Sequence, residues 1–181
     1  ASSSAIWGCQ FDGIAAEKFH LIAPDLRGHG KTAAGPKPDY AGFAQDIISV
    51  MDRLHIKSAH LVGWSMGCGV ALSMAADFPE RAASLILISG FAKFASDTDW
   101  EYGQPEPTIR RLKRRLETDL EKNLKKQIDS LFFSGEELSD SSRKKVDRFL
   151  YANYPPDKET VLSTLDLLAE SDFRRLLSSI K

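Results

Sequence analysis

Apolar residues recur along this chain at two spacings, and the alternation between them predicts its elements. From Tyr40 to His55, Phe43, Ile47, Val50, Met51 and Leu54 fall three or four apart, which places them on one face of a helix lying on a sheet. Continuous apolar runs bounded by turn residues predict buried strands instead, at "FHLIAP" from Phe19, at "SAHLVGW" and at "AASLILIS". Ile6 to Glu17 suits a helix, as does Met66 to Asp77, which Pro79 closes. The Gly- and Pro-rich stretch "LRGHGKTAAGPKPD" reads as a loop. Strand and helix in alternation predict an α/β class with a parallel sheet and crossover helices.

After Gly90 the pattern changes. Residues 105–181 are charged and helical in period, with amphipathic segments expected at Thr108–Phe133, Asp140–Asn153 and Asp157–Glu170 and a short helix at Asp172–Ser179. The breaks are "SGEELS" and Tyr154-Pro155-Pro156. Two regions follow, a core over 1–90 and an all-helical one over 91–181, with no internal repeat.

Composition narrows the class. A chain of 181 residues that is 43% apolar and 27% charged can bury a substantial core. No apolar run approaches the ~20 residues needed to cross a bilayer, and "ASSSAIWGCQ" has no basic segment followed by an apolar one, so a soluble, cytoplasmic protein is expected. Cys9 and Cys68 have no metal-ligand spacing, which leaves each as a buried apolar thiol and predicts no metal. The net charge of −1 hides a basic stretch, because Arg110 to Lys126 carries eight Lys/Arg against three Asp/Glu. A local +5 set against −6 elsewhere implies a basic face. Without aromatic interleaving or a groove-reading motif it does not imply nucleic-acid binding.

The chemistry lies in "HLVGWSMGCGVAL", where Gly63-Trp64-Ser65-Met66-Gly67 joins a strand to a helix. A serine on so sharp a bend is held in a strained backbone conformation and needs small residues two positions to either side, here Gly63 and Gly67. Ser65 is then lifted above the strand ends as a nucleophile, with the Met66 amide aimed at a developing oxyanion. The plainer alternative is a serine that only caps the helix.

With these residues, with "FHLIAPDLRGHGKT" ahead of them and "FPERAASLILISG" behind, the chain resembles the α/β-hydrolase family over nearly its whole length. The resemblance implies a partial α/β-hydrolase core with a nucleophile elbow, a helical cap over 91–181 and no cofactor. Trp64 and the "DTDW" stretch resemble one branch in particular, the carboxylesterases of biotin synthesis that act on a methyl ester carried by acyl carrier protein. That likeness implies a serine esterase working through an acyl-enzyme. Trp64, Phe91, Phe132 and Phe133 would line the acyl pocket, and Arg143, Lys144 and Arg148 would meet an acidic carrier protein. The alternatives are a noncatalytic binding fragment, or a hydrolase of a thioester, lactone or carbon-carbon bond.

One component is missing. The family orders its triad as serine, acid, histidine, yet His20, His29, His55 and His60 all precede Ser65. The resemblance also implies that the chain begins after the family's oxyanion loop and stops before its triad acid, so both ends are expected to be cut. Asp77, Asp97, Asp99 and Asp119 fall in the elbow helix or the cap and are not taken as the acid.

Overall fold

The computed structural model describes residues 3–130, 139, 140, 144, 147 and 157–180. The chain divides into two compact units, one made of 1–35 and 112–162, the other of 36–111 and 163–181.

The second unit holds the sheet. Strand β1 (Ala59–Trp64) and strand β2 (Ala82–Ile88) run parallel, with Leu61 opposite Leu85 and Trp64 opposite Ile88. Helix α3 (Tyr40–Arg53) precedes β1, and helix α4 (Met66–Asp77) forms the crossover between the strands. The Asp39 carboxylate starts α3 by accepting from the Gly42 amide at 2.7 Å, which satisfies one of the donors a helix start leaves open. Its end is a Schellman turn: His55 has φ 57° and donates to Asp52 O, and Ile56 N donates to Met51 O at 2.8 Å. Ala44, Ile48 and Met51 of α3 meet Leu61 of β1 and Ala71 and Met74 of α4 in one core. Arg81, just before β2, donates to Lys57 O and Ile56 O and pairs with Asp52 at 2.7 Å, which ties the starts of both strands to the end of α3.

The opposite face of the sheet is apolar and open. Val62 is 46% exposed, Ile86 52% and Ile88 42%. Beyond β2, residues 91–104 return beside 170–174: Phe173 N donates to Ala92 O and Phe94 N to Ser171 O. Lys93 pairs with Asp97 and Asp99, and Arg174 bridges Asp99 at 3.1 Å and Asp172 at 2.6 Å while lying over the Trp100 ring. The Arg174 guanidinium beside Asp172 holds that carboxyl down at about 2. Helix α8 (Arg174–Leu177) follows.

In the first unit a 3₁₀ turn (Ser4–Trp7) leads into helix α1 (Gly8–Phe11), and helix α2 (Ile14–Lys18) comes after a break. The single helix expected from Ile6 to Glu17 is interrupted at Asp12 and Gly13; a Cβ on Gly13 would lie 2.9 Å from Cys9 O. Asp25 organises the following loop, taking the Ser4 amide on Oδ1 at 2.6 Å and the Lys31 amide on Oδ2 at 2.9 Å.

Three expectations need correction. "FHLIAP" is no strand: it belongs to the first unit, no ladder partner pairs with it among the described residues, and Phe19 is 58% and Ile22 40% exposed. The long helix from Thr108 is two, helix α5 (Glu106–Thr118) and helix α6 (Leu120–Asp129). Asp119 separates them because its carboxylate accepts from the Lys122 amide at 3.1 Å and so starts a new helix. Cys9 is exposed on α1, whereas Cys68 is buried. Helix α7 (Lys158–Ala169) agrees with the expected Asp157–Glu170. The segment expected at Asp140–Asn153 lies largely outside the described residues. No helix among the described residues is long and apolar enough to cross a membrane.

Candidate active site

Ser65 sits between the last residue of β1 and the first of α4 with φ 53° and ψ −118°, a conformation that L-residues seldom adopt. It is held there from both sides. Its amide donates to Ile88 O at the end of β2 at 2.9 Å, and its carbonyl accepts from Cys68 N at 2.9 Å. The side chain makes no cap hydrogen bond to α4, so the hydroxyl is not spent on the helix start. Ser65 is half-buried, as are Trp64 and Met66.

The two flanking glycines differ. A Cβ at Gly63 would lie 2.5 Å from Gly67 O and 2.7 Å from Cys68 N, so only glycine lets the first turn of α4 close on the end of β1. A Cβ at Gly67 would meet nothing within 4 Å. The collision expected there does not arise.

Met66 is the first residue of α4, and helix geometry gives the amides of a first turn no partner within the helix. They point toward the N-terminal end, where the helix dipole favours negative charge.

Phe91 is half-buried among aromatic rings, 5.2 Å from Phe94 and 5.9 Å from Phe173 between centroids, and Phe173 in turn meets Tyr40 edge-on at 4.9 Å. Phe132, Phe133, Arg143 and Arg148 lie outside the described residues. Lys144 is helical and exposed. On α5, Arg111, Arg114 and Arg115 are exposed at i, i+3 and i+4, while Arg110 pairs with Glu106 at 2.6 Å.

Neither histidine of the sheet unit reaches Ser65. His60 is the second residue of β1 and bonds Ser84 Oγ at 2.8 Å; five residues of extended strand put it about 16 Å from the serine. His55 precedes it, at the far end of the strand. His20 and His29 belong to the other unit, where burial lowers the pKa of His29 and its Nδ1 lies 2.9 Å from Arg27 O. Asp77 closes α4, about 18 Å along the helix from Ser65. Asp97 and Asp99 are engaged by Lys93. Among the described residues no group of His, Cys, Asp or Glu could hold a metal ion.

Sequence reasoning missed the end of β2. Ser89 also has a positive φ, 51°, beside Gly90, and this second strained turn adjoins the Ile88 carbonyl that receives the Ser65 amide. The small pair Ser89-Gly90 after an apolar strand was the available signal.

A strained serine on a strand-to-helix bend, with a parallel partner strand accepting its amide, defines the nucleophile-elbow arrangement, and the chain belongs to the α/β-hydrolase fold family, whose pattern it matches over residues 1–170. Among individual proteins it is similar to the pimeloyl-[acyl-carrier protein] methyl ester esterase of Legionella pneumophila strain Corby, 33% identical over 163 residues, which covers 90% of this chain and 60% of the relative. The enzyme of the same description from Nitrosospira multiformis is 25% identical over 183 residues, 99% of this chain and 69% of the relative. Among solved structures, an esterase from Exiguobacterium antarcticum superposes with a TM-score of 0.86 at 23% identity, over 99% of this chain and 66% of that one. The chain thus spans about two thirds of the length of these proteins.

Proposed function

We propose that Ser65 is the nucleophile of a serine carboxylesterase whose substrate is a methyl ester carried by acyl carrier protein, a pimeloyl chain being the acyl group. The observation that supports this most is the strained backbone of Ser65 at the start of α4 with its hydroxyl not engaged in capping. In this reading Ser65 Oγ attacks the ester carbonyl, the Met66 amide stabilises the oxyanion, methanol leaves, and water hydrolyses the acyl-enzyme. A histidine from outside these 181 residues takes the serine proton and passes it to the leaving methoxide, and an acid orients it. No metal or organic cofactor takes part.

Trp64 and Phe91, with Phe132 and Phe133, form the acyl pocket in this proposal, and the division into a core over 1–90 and a cap over 91–181 belongs to it. So do a cytoplasmic address and a carrier-protein contact at Arg143, Lys144 and Arg148. The carrier is acidic, so a basic rim raises its association rate in a salt-dependent way. Turnover of pimeloyl methyl ester on carrier protein, compared with free short-chain esters, tests the reading. A clear preference for the carrier-bound ester that fades with added salt supports it. Equal or better turnover of free esters, lactones or thioesters overturns the substrate assignment.

A further inference from the structure

The thiol of Cys68 lies beneath the strained bend, and its surroundings are specific. Cys68 is 1% exposed, and Sγ is 3.2 Å from Gly63 O and 3.3 Å from Ile88 O. Gly63 lies on β1 two residues before Ser65, and Ile88 is the last residue of β2, whose carbonyl also accepts the Ser65 amide. A single S–H shared between those carbonyls therefore joins both strands to the first turn of α4. Burial raises the pKa of the thiol, so it stays protonated and remains a donor. On the other side the chain closes over the sulfur, since a Cβ on Gly90 would lie 3.2 Å from Sγ.

Strained backbone persists only where its surroundings over-determine it. Both Ser65 and Ser89 have positive φ values; Ser65 donates its amide to the Ile88 carbonyl, and Ser89 follows Ile88 in the chain. The Ile88 carbonyl is the point where the two turns meet, and Cys68 is the side chain that reaches it. A sulfur that merely filled space would be replaceable by any small apolar group. A donor would not.

We propose that Cys68 is a positioning residue for Ser65, its thiol holding the ends of β1 and β2 together under the bend so that the serine backbone keeps its strained conformation. The consequence for catalysis rests on Ser65 being the nucleophile; the brace itself does not. Two variants separate a donor from a filler. Cys68→Ala removes the S–H and the sulfur, whereas Cys68→Ser also loses the sulfur but keeps a hydroxyl donor.

The test is amide hydrogen exchange of Ser65, read as its ratio to exchange at Ile48 in the core of α3, together with the rate at which Ser65 takes up a fluorophosphonate. Cys68→Ala is expected to raise the exchange ratio by about tenfold, the size expected for losing one buried hydrogen bond, and Cys68→Ser to bring it back within about threefold of the parent. Labelling should fall and recover in the same order. An unchanged ratio in Cys68→Ala overturns the proposal, and that includes a general loss of stability, which speeds both amides alike. A serine variant no better than the alanine one also overturns it. If exchange follows the expected order while the parent protein takes up no fluorophosphonate, the brace stands and the nucleophile reading falls.

Discussion

Gly63 and Gly67 occupy symmetrical places about Ser65 in the sequence, but their surroundings make opposite predictions. Gly63→Ala drives a methyl into Gly67 O at 2.5 Å, a backbone contact that cannot rotate away, so the bend must shift. Strain of that kind costs about 1–3 kcal/mol, and thermal unfolding should show it as a lower midpoint with loss of Ser65 labelling. Gly67→Ala has open space and sits inside α4, where alanine is favoured over glycine by about 1 kcal/mol, so its midpoint should hold or rise. A destabilised Gly67→Ala would show that the turn is packed differently. Asp172 gives a prediction in pH. Its folded pKa of about 2 lies below the ordinary carboxylate value of about 3.9, so its contribution is fully present above pH ~4 and is lost as pH falls toward 2. In Arg174→Ala its titration, followed by carboxyl NMR, should move up toward the ordinary value; an unmoved midpoint would mean that the guanidinium is not the cause. The elbow serine was legible in the sequence because its demands are local: a strand, a bend and a helix within a dozen residues. The Cys68 contact was not, because Ile88 reaches the sulfur only after the crossover helix has returned the chain to lie parallel.

At the scale of elements, the helices of the sheet unit were legible wherever one face had a partner. Helix α3 was expected from Tyr40 and runs to Arg53, and Met66–Asp77 agrees at both ends, since Ser65 cannot be helical and Pro79 stops the chain. Phe43 is fully buried on α3, and Phe43→Ala should lower unfolding free energy by about 3–5 kcal/mol in urea titration. A loss below about 1 kcal/mol would mean that the site collapses around the missing ring. The misread elements have separate causes. Apolar runs predict strands only if a neighbour supplies the ladder, and "FHLIAP" is not part of the sheet formed by the described residues. Charge and period run unbroken through Thr118 and Asp119, so the periodic signal concealed the capping carboxylate that divides α5 from α6.

For the molecule as a whole, the sheet is the telling feature. Two parallel strands packed on one side by α3 and α4 leave Val62, Ile86 and Ile88 open on the other, an apolar stripe of the kind that proteins cover. The 181-residue polypeptide alone is therefore expected to bind an apolar dye such as ANS, and Ile86→Lys to weaken that binding. Dye binding absent from the parent polypeptide would mean that the stripe is covered in solution. The family was legible because a strand, a glycine-flanked serine bend and a helix in succession form a long and specific pattern. A histidine partner for the serine was not legible, and no histidine of the sheet unit stands near it.

The most direct measurement is to treat the purified protein with a fluorophosphonate, record the intact mass and locate the adduct by peptide mass spectrometry. One adduct on Ser65, and none in Ser65→Ala, is the predicted result. No adduct at Ser65, or an adduct on another residue, would contradict the assignment of Ser65 as the nucleophile.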